Sequence, residues 1–104
     1  MDLFEVTAAL SKGNVIWRQH ALVRLMERSI SRSDVKRAIK SGEIIEHYDD
    51  SKPYPGCLIL GYAASVPLHV VLSFDQANYI VYIITCYEPD TKHFMDDLKT
   101  SKNQ

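Results

Sequence analysis

His20, Arg24 and Arg28 follow one another at intervals of four in His-Ala-Leu-Val-Arg-Leu-Met-Glu-Arg. On a helix that spacing lines all three on one ridge. Histidine moves a proton near neutral pH. Arginine offers a planar, permanently charged fork that suits a phosphate. One imidazole and two guanidinium groups on one ridge are the tools for holding and cutting a phosphodiester without a metal. The same spacing is also that of a plain solvated helix face. A second group comes from hairpin arithmetic. If Asp75 pairs with Tyr79 and Ala63 with Pro67, then Gly61, His69 and Thr85 form one row across three strands. That row is a small polar notch, in which Gly61 permits close approach of another group. Leu60, Tyr62, Leu68, Val70, Leu72, Tyr82 and Ile84 then fill the other face as core. Tyr87 ends the last apolar run beside Glu88 and Pro89, placed to stack on a base or to cover the rim of the core.

The elements that must position these groups change period midway. Asp2 caps a first helix to about Lys12, with Leu3, Val6 and Leu10 inward and Gly13-Asn14 as its stop. Val15-Ile16-Trp17 is a brief extended piece. A helix from about Gln19 to Arg28 buries Leu22, Leu25 and Met26. Ser31 caps a third helix with Asp34 in its first turn. That helix turns Val35, Ala38 and Ile39 inward and ends at Gly42. Four β-rich runs follow, at 43–48, 57–63, 68–74 and 79–87, with a loop containing Pro53 and Pro55 after the first. The later connections are short enough for hairpins. A last short helix opens at Asp90 or Thr91 and runs to Leu98, and 100–104 frays. The fold class expected is α+β. Two to three N-terminal helices pack on a four-stranded antiparallel sheet, with a short C-terminal helix.

The chain of 104 residues is 46% hydrophobic, which fits one globular domain with its core at about 15–98. No apolar run approaches the roughly 20 residues of a membrane span. The acidic N-terminus lacks a signal-peptide core, so cytoplasmic residence is expected. Cys57 and Cys86 have no metal-ligand spacing and are read as buried free thiols. The four histidines are scattered, with His47 and His93 beside polar segments, so neither a metal nor another cofactor is expected. Net charge is −1, but between Lys12 and Lys40 eight basic residues face only Glu27 and Asp34. That local +6 leaves −7 for the rest of the chain. A basic segment in an otherwise acidic chain points to a local anion site and a polyanionic partner.

Several phrases together carry a family resemblance. They are His20-Ala-x-x-Arg24-x-x-x-Arg28-x-Ile-Ser31, then Asp34-Val35-x-x-Ala38-Ile39-x-x-Gly42-Glu43-Ile44-Ile45. Tyr54-Pro-x-Cys-Leu-x-Leu-Gly61, Pro67-Leu-His-Val-Val71 and Ile83-Ile-Thr-x-Tyr-Glu-Pro-Asp90 complete the set. Over about residues 16–95 the chain resembles the bacterial and archaeal domain of unknown function numbered 4258. Ser29 stands where that motif usually has glycine. The resemblance implies kinship with small metal-independent ribonuclease folds such as RelE, barnase and the colicin nucleases. It also implies a toxin–antitoxin role with a small antitoxin, of zinc-finger type, as partner.

The function expected is therefore a metal-independent ribonuclease toxin acting on RNA. Such cleavage needs a base for the 2′-hydroxyl, an acid for the leaving oxygen and positive groups around the phosphate. His20 and His69 are the candidate base and acid, in either order. Arg24, then Arg28, stabilise the phosphate. Thr85 orients His69 or donates to a phosphate oxygen, Tyr87 stacks on the neighbouring base, and Gly61 leaves room for substrate. Two rivals stand beside this reading. One is a non-catalytic RNA- or protein-binding module of the same fold. The other is a structural partner domain whose His and Arg only tie helix to sheet, for example through an Arg24–Glu27 pair.

Overall fold

Local signals account for the three helices. The computed structural model describes residues 1–89; the expected helix over 91–98 and His93 lie outside the described residues. Helix α1 spans Leu3–Ser11, with the Asp2 carboxylate accepting from the Phe4 N–H at 2.9 Å. Helix α2 spans Gln19–Glu27 and α3 spans Arg32–Ser41. A reciprocal cap opens α3: the Asp34 N–H donates to Ser31 Oγ, and the Ser31 N–H donates to the Asp34 carboxylate, both at 3.0 Å. The Ser31 backbone N–H, and after it the Ser31 hydroxyl, hold the Asp34 carboxyl below its usual range.

α1 and α2 end in the same way. The Asn14 N–H donates to the Ala9 carbonyl at 2.9 Å and the Gly13 N–H to Leu10 at 3.0 Å. At the end of α2, the Ile30 N–H donates to Leu25 at 2.9 Å and the Ser29 N–H to Met26 at 3.4 Å. Both are Schellman closures, which need a left-handed residue just past the cap. Gly13 fills that role at φ 79°, and Ser29 fills it at φ 55°.

The sheet has five strands and is mixed. They are β1 (Val15–Trp17), β2 (Glu43–Tyr48), β3 (Gly56–Ala63), β4 (Val66–Asp75) and β5 (Ile80–Tyr87), in the order β1-β5-β4-β3-β2. This corrects the expected four-stranded antiparallel sheet. The extended piece at 15–17 is a fifth strand and pairs parallel with β5, Val15 opposite Val81 and Trp17 opposite Ile83. The other pairings are antiparallel.

The register also differs from the hairpin arithmetic, for two physical reasons. The β3–β4 turn is tighter than expected, with Ala63 opposite Val66 and Ala64 at φ 56°. That places Gly61 opposite Leu68 and Leu60 opposite His69. At the other hairpin Asp75 pairs with Ile80, and Ile84 is an extra residue between the Leu72–Ile83 and Val71–Thr85 pairs. His69 therefore faces Tyr87, not Thr85. A slip of one residue moves side chains to the other face. So Leu60, Tyr62 and Tyr82 leave the predicted core face, while Cys57, Ile59, Val81 and Ile83 enter it.

The core lies between the helices and this face. Val6, Ala9 and Leu10 of α1, Ala21 and Leu25 of α2, and Val35, Ala38 and Ile39 of α3 share one core with Leu68, Val70, Leu72 and Phe74 of β4 and Val81, Ile83 and Cys86 of β5. Met26, expected in the core, is 78% exposed, and Ala21 takes the inward place instead. Gly61 points to the same side: a Cβ there would lie 1.7 Å from the Ala38 carbonyl oxygen. The group that approaches Gly61 is the backbone of α3, not a substrate.

Candidate nucleic-acid interface

α2 owes its place to two neighbours. It follows β1 directly, and the Arg18 N–H donates to the Ile83 carbonyl at 3.1 Å, which fixes the helix start against β5. Ala21 and Leu25, one turn apart, are buried on the core. The ridge beside that apolar stripe holds the three expected residues: His20 is exposed, Arg24 half-buried and Arg28 exposed. The structure thus places His20 and Arg24 one turn apart on α2, with Arg28 at its C-cap. α3 adds Arg32, Lys36, Arg37 and Lys40.

The way these cations are held decides what they can do. Among the described residues one ion pair is present, Arg37 with Asp34 at 3.5 Å. Arg24 and Glu27, the example of a pair in the structural reading, form no ion pair. Other cations lie over aromatic rings: Arg32 over Trp17 at 5.7 Å, Arg18 over Tyr82 at 5.4 Å and Lys12 over Tyr79 at 5.3 Å. A ring orients a guanidinium without cancelling its charge. Among the described residues, Asp34 is thus the one carboxylate that forms an ion pair with a cation of α2 or α3.

His69 is elsewhere. It lies between Leu68 and Val70, both in the core, so its side chain leaves by the opposite face of the sheet, and it is fully buried there. Its ring meets that of Tyr87 edge-on at 5.4 Å, and Nδ1 is 3.4 Å from the Tyr87 hydroxyl. Thr85, opposite Val71, projects from the same face and is half-buried. The structure thus groups His69, Thr85 and Tyr87 and sets His20 apart from them. Gly61 belongs to neither group. The face also carries a pair that sequence reasoning missed: Tyr48 donates to Glu46 at 2.5 Å. Partial burial and then that bond push the Tyr48 phenol well above its usual range.

A second unforeseen cluster lies where β1, β5 and the loop before β3 meet. The rings of Tyr54 and Tyr82 stack at 5.3 Å and 12°. The Arg18 guanidinium lies against Tyr82 from the β1 side. Hydrogen bonding to Tyr82, then the negative charge of Asp75, raises the Tyr54 phenol above its ordinary value. Asp75 is buried and accepts from the Asn78 side chain at 2.8 Å and its N–H at 3.1 Å. These bonds, the side-chain one first, keep its carboxyl below the usual range. The available sequence signal was Tyr54 between two prolines, which fixes a loop aromatic in place.

Among the described residues, no three His, Cys, Asp or Glu side chains converge as metal ligands, and no helix is long and apolar enough to cross a membrane. A family model described as "Domain of unknown function (DUF4258)" matches residues 17–88. No curated protein and no solved structure matches the chain.

Proposed function

From the premise that the chain belongs to the DUF4258 family of domains of unknown function, we propose that it engages RNA through the basic surface of α2 and α3. One observation carries this reading. Around these helices Arg28, Arg32, Arg37 and Lys40 are exposed, Arg24 and Lys36 are half-buried, and Arg37 alone has a carboxylate ion-pair partner among the described residues. Phosphate backbones bind such surfaces by displacing counterions, so affinity falls steeply as salt rises. The proposal extends to the RelE/barnase-like kinship, and to a toxin held in check by a small antitoxin. Helices preceding an antiparallel-rich sheet are compatible with both.

Cleavage is the second reading, favoured by the exposed His20 standing one and two turns from Arg24 and Arg28. His20 would move a proton, and the two arginines would stabilise the phosphate. In this reading His20 acts without His69, whose ring is buried on the opposite face of the sheet. His69, Thr85 and Tyr87 serve this reading only as the support on which β5, and hence α2, is built.

A labelled single-stranded RNA titrated at two salt concentrations tests the binding. We expect clear binding at low salt, weaker at high salt, and weaker again in Arg28→Glu. An absence of binding at low salt removes the RNA reading. For cleavage, His20→Ala should lose about 10² to 10⁴-fold in rate, while folded His69→Gln should cleave like the parent. Equal cleavage by His20→Ala and parent, read by product-end analysis, removes the catalytic reading and leaves binding.

A further inference from the structure

We propose that the Arg18–Tyr82–Tyr54 stack is a docking site for an unpaired nucleobase; this rests on the RNA reading of α2 and α3. Arg18 joins the two places. It is the N-cap of α2, two residues before His20, and its guanidinium lies 5.4 Å from the Tyr82 ring centre. Tyr82 projects from the sheet face opposite the helices, and Arg18, beside the edge strand β1, is the residue past which a strand lying at the start of α2 would carry a base round that edge to the stack. Aromatic rings and guanidinium planes stack bases of any identity, because every base has a π-face. The platform is pre-set. Tyr54 lies near-parallel to Tyr82, 5.3 Å away, and the Arg18 guanidinium lies against the same Tyr82 ring. Arg18 is exposed, and both tyrosines are half-buried. Tyr87 is less suited to the part, since its ring is engaged edge-on by His69.

The plain alternative is that Tyr54 staples its loop to the sheet. The two differ in one readout. A stacking site takes unpaired bases only, whereas a staple affects all ligands through stability alone. We would measure binding of short oligouridine and of duplex RNA of equal length to the parent, Tyr54→Ala, Tyr54→Phe and Arg18→Lys. Tyr54→Ala should weaken the single strand about 5- to 100-fold and the duplex by less than about twofold. Its salt dependence should be unchanged, because no phosphate contact is lost. Tyr54→Phe, which keeps the ring, should bind like the parent. Arg18→Lys is an exposed change that keeps the charge and loses the plane, so it should shift the ratio in the same direction even if Tyr54→Ala folds poorly. Single-strand binding at parental strength by both Tyr54→Ala and Arg18→Lys, with Arg28→Glu impaired, overturns the stacking site and leaves the RNA reading. A parent that binds neither RNA overturns both.

Discussion

Ser29 and Gly13 do the same conformational task with different chemistry. Each sits just past a helix cap in the left-handed region, at φ 55° and φ 79°. A side chain there crowds its own carbonyl, at a cost of roughly 1–2 kcal/mol, which glycine escapes. Glycine also has more freedom to lose on folding, which returns part of that gain. Ser29→Gly should therefore raise stability by about 0.5–1 kcal/mol, and Ser29→Val should lower it. Urea unfolding of the three proteins measures this; a neutral or destabilising glycine would mean that the closure of α2 is not strained. The position was visible in sequence as a departure from the motif, but its left-handed backbone was not. The cap of α3 was fully legible, because Ser31 and Asp34 satisfy each other within one turn. His69 was legible as a strand residue and not as a buried one, because its burial depends on a register that no local spacing encodes.

The elements themselves followed the hydrophobic periods closely, and their pairing did not. Turn length and a bulge decide register, and both depend on backbone choices at single residues. Ala64 adopts φ 56° and Ile84 is extruded, and together they turn the expected Gly61–His69–Thr85 row into Leu60–His69–Tyr87. Three residues of β1 carried too little pattern to reveal a parallel partner so far along the chain. The packing of α3 on β3 is the most demanding contact between elements. The Ala38 backbone occupies the space that a Gly61 side chain would need, and Gly42 is enclosed in the same way by Ala38, Ile59 and Leu60. Gly61→Ala must push α3 off the sheet or distort the strand. Overpacking of this kind typically costs 1–3 kcal/mol and sometimes more, and backbone yields less readily than side chain, so we expect about 3 kcal/mol or more. For a domain of this size that is a fall in Tm of roughly 12 °C or more. A melt within about 2 °C of the parent would contradict the close approach.

For the molecule as a whole, the sheet separates two kinds of surface chemistry. The helices carry exposed positive charge, and the far face carries the buried His69 among half-buried and exposed tyrosines. The core between helices and sheet includes both cysteines, fully buried, and burial first of all pushes each thiol up to about 12. Since the thiolate is the reactive form, neither should be available to a neutral-pH electrophile while the fold holds. Iodoacetamide at pH 8 should leave the native protein unmodified and label both thiols in urea, as read by intact mass. Rapid labelling of the native protein would show that this core opens readily. Such a thermodynamically closed interior suits the reading in which all chemistry with RNA takes place on the outer surface of α2, α3 and the Arg18–Tyr82–Tyr54 stack.

The parallel pairing of β1 with β5 also bears on synthesis. β1 comes early in the chain, yet among the described residues its neighbour in the sheet is β5, and α2, which follows it at once, takes its position from the same strand. Contacts so distant along the chain form late, because the intervening loop must close first. While the ribosome has still to deliver residues 80–87, Arg18 lacks the Ile83 carbonyl and the Tyr82 ring that fix it, and the His20–Arg24–Arg28 ridge has no platform. A nascent chain therefore carries the basic residues of α2 and α3 before the contacts that position α2 exist, and in the proposed RNA reading its action is deferred until translation has passed β5.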